Sequence, residues 1–148
     1  MPPGITVPWF RDAKKNREKF VMLSLYEAWS ARIAESAGVR ILLVGDSLAT
    51  SIQGHDNTLP VTLDDVLYHT KAVHRAAGRS FVIGDMPFLT HNLNETEAVR
   101  NAGRFLSEGG ASAVKVEGGA DLAPIVAGMV RRGIPVQGHI GMTPQHYY

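Results

Sequence analysis

The sequence contains no cysteine. Disulfides, thiolate metal centres and a cysteine nucleophile are therefore excluded, and the absence suits a reducing compartment. Neither sign of charge is in excess: 15 Lys and Arg against 14 Asp and Glu leave a net charge of +1. That balance offers no electrostatic reason to expect nucleic acid or an anionic membrane as partner. No apolar run approaches the ~18 residues of a spanning helix. The stretch Met1 to Phe10 lacks a basic segment followed by an apolar one, so it does not read as a secretory signal. A soluble cytoplasmic protein is the expectation. Also missing are the GxGxxG fingerprint, the P-loop, the GxSxG elbow and the HExxH pair. What remains is ordinary globular material of 148 residues, 45% apolar and 20% charged. A chain of that size suffices for one domain burying roughly 68–70% of its unfolded surface.

What is present is an alternation. Residues 11–19 are polar and mostly charged. They read as the solvated face of a helix within an N-terminal extension, residues 1–19, rather than as a basic recognition patch. Residues 20–26 form a short apolar run suited to a buried strand. Helical spacing follows from Glu27 to Ala37 and stops at Gly38. A strand covers 40–46, and 47–61 is irregular. Thr62 with Asp65 opens a helix through an acidic variant of the capping box, which runs to Gly78. A strand over 81–85 precedes a helix from Asn94, paired with Glu97, to about Glu108, closed by Gly109 and Gly110. A strand over 113–117, a helix from about Leu122 to Arg132 and a strand over 135–139 complete the series. Strands apolar on both faces and separated by helices argue a parallel α/β sheet in a single domain, residues 1–148, with right-handed connections. Five such steps do not close a barrel of eight, which typically takes about 250 residues.

Polar residues fall where such sheets bind ligands, at the carboxyl ends of the strands. Asp46 follows Ile41-Leu42-Leu43-Val44-Gly45, and Asp85 follows Phe81-Val82-Ile83-Gly84. Each either caps the turn after it, or the two share one hard cation such as Mg2+. A carboxylate buried there is costly unless paired or metal-bound. Lys115 and Glu117 share strand parity and so point to one face. They form either an ion pair on an exposed edge or an interior pair. In the interior, Lys115 would grip a substrate carboxylate and Glu117 a metal or its water. His139, in Gly138-His139-Ile140-Gly141, is either structural or a site residue. His55, His69, His74, His91 and His146 show no paired ligand spacing and read as surface or local hydrogen-bonding groups.

Five motifs occur in order: Leu43-Val44-Gly45-Asp46-Ser47-Leu48, Gly54-His55-Asp56-Asn57-Thr58-Leu59-Pro60-Val61-Thr62, Asp85-Met86-Pro87-Phe88, Val114-Lys115-Val116-Glu117-Gly118-Gly119, and Gly138-His139-Ile140-Gly141-Met142-Thr143-Pro144-Gln145. From about Phe20 to Gln145 the chain resembles the ketopantoate hydroxymethyltransferase family, in the phosphoenolpyruvate mutase/isocitrate lyase group of (βα)8 barrels. The resemblance implies a TIM barrel of which this chain covers about the first five strands. It implies transfer of a hydroxymethyl group from 5,10-methylenetetrahydrofolate to 3-methyl-2-oxobutanoate, giving 2-dehydropantoate for pantothenate and coenzyme A synthesis, through a Mg2+-stabilised enolate. By position, Asp46, Asp85 and Glu117 match the family's acids around the metal. Asp46, Ser47, Asp85 and Lys115 match its keto-acid-binding positions, and His139 a pocket histidine. A homo-oligomer, decameric in the family, is also implied.

Two departures stand out. Ser24-Leu25-Tyr26-Glu27 occupies the place where the family commonly shows Thr-Ala-Tyr-Asp. The family's general base is a glutamate on a later strand, expected beyond residue 148, so no catalytic residue is assigned here and the chain reads as truncated before it. Without later strands, the first and fifth would be exposed edges with apolar faces. Two other readings remain: another 2-oxo acid lyase or mutase of the same superfamily, whose usual cysteine loop this chain lacks, and a non-catalytic partial barrel that binds a partner chain.

Overall fold

A computed structural model describes residues 4–147. Residues 1–3 of the expected N-terminal extension, and Tyr148, lie outside the described residues. The first helix, α1 (Val7–Lys15), begins and ends earlier than the charged stretch suggested. A proline sits in its first turn, where the missing N–H leaves nothing unsatisfied. Beyond its end, Arg17 adopts φ 56, so residues 16–19 do not continue the helix. Nor is α1 solvated all round. The Phe10 ring lies 5.1 Å from that of Phe81, the Trp9 ring lies 5.2 Å from that of Phe20, and Ala13 is buried.

Five strands follow: β1 (Met22–Ser24), β2 (Ile41–Val44), β3 (Phe81–Asp85), β4 (Ala113–Glu117) and β5 (Val136–His139). All neighbours are parallel, and their order in the sheet is their order in the chain. β2, β3 and β4 are buried throughout. β1 corrects the expectation of a buried strand over 20–26: it is three residues long and exposed, because it has a partner on one side only.

Between the strands run α2 (Ala28–Ser36), the single turn α3 (Leu48–Ser51), α4 (Leu63–Ala76), α5 (Glu95–Ser107) and α6 (Ala123–Arg131). α3 lies inside the stretch expected to be irregular. Both expected caps form. Thr62 Oγ1 accepts from the Asp65 N–H at 3.2 Å while Asp65 Oδ2 accepts from the Thr62 N–H at 3.0 Å. Asn94 Oδ1 accepts from the Glu97 N–H at 2.9 Å. No helix among the described residues is long and apolar enough to cross a membrane.

Strand alternation sorts the core into two layers. Leu42, Val44, Val82, Val114 and Val116 pack against the helices through Ala34, Val73, Phe105 and Met129. Gly84 belongs to this layer, for a Cβ there would stand 2.3 Å from the Phe105 ring. On the opposite face Ile41, Leu43, Phe81, Ile83 and Ala113 cluster under Ile5, Trp9 and Phe10. That face is concave. Gln137 Nε2 of β5 reaches Met22 Sδ of β1 at 3.8 Å, whereas flat strands four places apart would stand ~19 Å from one another. A cavity of about 450 Å3, lined by Phe10, Met22, Phe81, Ile83 and Val136 among others, lies between the two edges.

Candidate functional site

Register assembles the site. Asp85 ends β3 and lies opposite Lys115 of β4, while Glu117, two residues on, lies opposite His139 of β5. With Ile83 and Ala113 on the concave face, Asp85, Lys115 and Glu117 share that face by parity. Lys115 Nζ donates to Asp85 Oδ2 at 2.7 Å and to Glu117 Oε1 at 3.4 Å. His139 Nδ1 is 3.0 Å from the same Glu117 oxygen. Lys115, Asp85 and Glu117 are buried, and His139 is partly exposed. The exposed-edge reading of the Lys115–Glu117 pair is thus corrected: β4 lies between β3 and β5, and the pair is interior.

Asp46, just past β2, closes the group. Its backbone N–H donates to Asp85 Oδ2 at 3.2 Å, and its own Oδ2 accepts from Gln145 Nε2 at 2.9 Å. Among the described residues neither aspartate side chain caps the turn that follows it; both are spent on groups from other strands and loops. Ser47 Oγ lies 2.8 Å from the Tyr26 hydroxyl. Gly45 keeps this corner open, since a Cβ there would stand 2.7 Å from Ser47 Oγ and 3.7 Å from Asp85 Oδ2.

Burial pushes the Asp85 carboxyl up from 3.8 to about 7; the nearby Lys115 ammonium opposes this and Asp46 adds to it. Burial also works against the Lys115 charge, but Asp85, with Glu117 and Asp46, outweighs it and holds the ammonium above its ordinary value. A charged lysine is therefore kept in a largely dehydrated place. Among the described residues, no three or more acidic or histidine side chains are grouped to hold a metal ion. The three-acid arrangement expected of Asp46, Asp85 and Glu117 is therefore not preassembled. The physical reason is visible: Lys115 stands between Asp85 and Glu117, and Glu117 accepts from Lys115, His139 and the Gln145 N–H. Asp46 and Asp85 bring the oxygen chemistry that a hard cation takes. Asp85 Oδ1 is buried and accepts no hydrogen bond, leaving a carboxylate oxygen of the kind hard divalent ions take.

Three residues escaped sequence reasoning. Gln145 is buried and bonded to Asp46 and Glu117, yet its only signal was its place at the end of the fifth motif. Tyr26 orients Ser47. His91, expected at the surface or in local hydrogen bonding, is buried and reaches across the fold, with Nε2 3.0 Å from the Glu117 carbonyl, and burial lowers its pKa.

A charged cluster at the carboxyl ends of sequentially ordered parallel strands marks the class of enzyme-like α/β barrels. The solved structure of 2,3-dimethylmalate lyase, a PEP mutase/isocitrate lyase superfamily member, superposes with TM-score 0.67 at 22% identity, covering 92% of this chain and 54% of that one. Oxaloacetate acetylhydrolase gives TM-score 0.65 at 16% identity over 93% of this chain and 53% of its own. These likenesses show the fold. The ketopantoate hydroxymethyltransferase family model matches residues 4–148. The 3-methyl-2-oxobutanoate hydroxymethyltransferase of Carboxydothermus hydrogenoformans is 50% identical over 95% of this chain and 51% of its own length. That of Thermotoga neapolitana is 52% identical over 88% and 48%. The chain belongs to the ketopantoate hydroxymethyltransferase family. It spans about half the length of the curated relatives it matches.

Proposed function

We propose that this chain supplies the keto-acid-binding part of a site that transfers a hydroxymethyl group from 5,10-methylenetetrahydrofolate to 3-methyl-2-oxobutanoate, giving 2-dehydropantoate. The observation that carries the reading is the buried Lys115–Asp85 pair with Asp85 Oδ1 left unpaired. An ammonium has three donors, and Lys115 spends two on Asp85 and Glu117. The third is available to an anionic oxygen of a 2-oxo acid. Ser47, held by Tyr26, offers a hydroxyl at the same rim. Glu117 braces Lys115, and His139 of β5 holds Glu117 in turn.

Asp46 and Asp85 would hold Mg2+ or another divalent cation, which when bound draws electron density from the keto acid and so makes its C3–H more acidic. No residue of this chain is assigned the task of taking that proton. Glu117 already accepts three hydrogen bonds, and Asp85 is tied to Lys115. The same reading carries a homo-oligomer and a cytoplasmic setting with it, the first checked by sedimentation.

Calorimetric titration of 3-methyl-2-oxobutanoate into the chain, with and without MgCl2, tests the reading. Cation-dependent binding that Asp85→Asn weakens for both ligands supports it. Absence of keto-acid binding at saturating MgCl2 sinks it. Product formation from methylenetetrahydrofolate, assayed for the chain alone and for a version extended to the relatives' full length, tests the transfer step.

A further inference from the structure

Gln145 has no role in the chemistry above, yet it bonds to two of the site's carboxylates. It is 2% exposed, in the short 3-10 turn Pro144–His146 that follows β5. Its side-chain Nε2 donates to Asp46 Oδ2 at 2.9 Å and to the Met86 carbonyl at 3.1 Å, and its backbone N–H donates to Glu117 Oε2 at 3.2 Å. Both partners of Nε2 are acceptors only, so the amide has one sensible orientation. One residue thus ties the loop after β5 to the ends of β2, β3 and β4.

We infer that Gln145 is a positioning residue that fixes the Asp46 carboxylate through Oδ2, leaves Oδ1 for a divalent cation, and thereby sets cation affinity without touching the cation. The inference rests on the cation reading proposed above. Of the two Asp46 oxygens, Oδ2 is the one engaged by Gln145. An unheld carboxylate would rotate between the two oxygens and lose alignment with Asp85. Partners of this kind, one shell out from the metal, typically change affinity 10–100-fold.

The test uses the full chain and MnCl2 as probe. Gln145→Met keeps the length and apolar volume of the side chain and removes both amide donors; Gln145→Asn keeps the amide and shortens its reach, and serves if the first variant misfolds. Either should weaken the calorimetric Mn2+ affinity about tenfold in protein whose circular dichroism is unchanged. A purely structural residue would lower the unfolding midpoint and leave the affinity alone, and that result overturns the inference. A second readout needs no metal. The Gln145 side-chain amide resonance, assigned by its loss in Gln145→Met, should move in Asp46→Asn; an unmoved resonance overturns the contact itself. If the wild-type chain takes up no Mn2+, the cation reading fails first, before any variant is compared.

Discussion

The two ends of the concave sheet face share strands and side-chain parity, and they differ in everything else. Near the amino ends of the strands, Ile41, Leu43, Phe81, Ile83 and Ala113 form an apolar layer partly covered by Ile5, Trp9 and Phe10. Near the carboxyl ends the same face carries Asp85, Lys115 and Glu117. β3 passes from Ile83 to Asp85 and β4 from Ala113 to Lys115, so one pleat repeat, ~6.6 Å, separates packing from charge. The lesson is a division of labour. Burial at the packed end supplies stability that offsets the desolvation of charge at the other, and the chemistry is confined to the rim.

The division can be broken from either side. Lys115→Met has the largest expected effect, because it strands Asp85 as a buried carboxylate without its ion-pair partner. Loss of about 4 kcal/mol in urea unfolding is expected for removing one partner of such a pair, together with loss of keto-acid binding. Phe81→Ala acts on the packed end. It should cost about 3 kcal/mol, as large-to-small core changes do, yet leave Mn2+ affinity within twofold in the folded protein. Lost cation binding in a folded Phe81→Ala chain would collapse the distinction between the two ends.

Asp85→Asn probes the charged end by pH. Burial raises the folded-state value of Asp85 from 3.8 to about 7, so in this range the native state binds the proton more tightly than the unfolded state. Its stabilising contribution is complete below 3.8 and is lost as the pH rises through about 7. In cation-free buffer the stability of wild type relative to Asp85→Asn should therefore fall between pH 4 and pH 7, followed by urea midpoints. A flat difference would mean that Lys115 fully compensates the buried charge. Thr62→Ala, in the cap of α4 and at neither end, sets the baseline. Loss of about 1 kcal/mol is expected, with ligand affinities unchanged.

Much of the fold was legible locally. The strands over 81–85 and 113–117 match β3 and β4, and the Thr62 and Asn94 caps start α4 and α5 as their side chains demand. The exposure of β1 was not, because an apolar run reports suitability for burial and not whether a neighbour covers it. Nor was the packing of α1. Its charged residues dominate the local pattern, while Phe10 packs on Phe81, far along the chain, and Trp9 on Phe20. At the site, Asp46, Asp85, Lys115 and Glu117 could be picked out because charge inside or just past an apolar strand is costly and therefore conspicuous. Gln145 could not: a neutral amide on a loop carries no such signal.

By itself, then, the sequence determined which segments form parallel strands, which residues on them are charged, and that these charges lie at the carboxyl ends. Periodicity and desolvation cost are local properties, readable one segment at a time. Only the tertiary structure decided how the charges pair. Strand register put Lys115 rather than an open space between Asp85 and Glu117, and the turn after β5 brought Gln145 onto an aspartate 99 residues away. Such pairings depend on sheet curvature and on where distant loops land, and no local pattern encodes either.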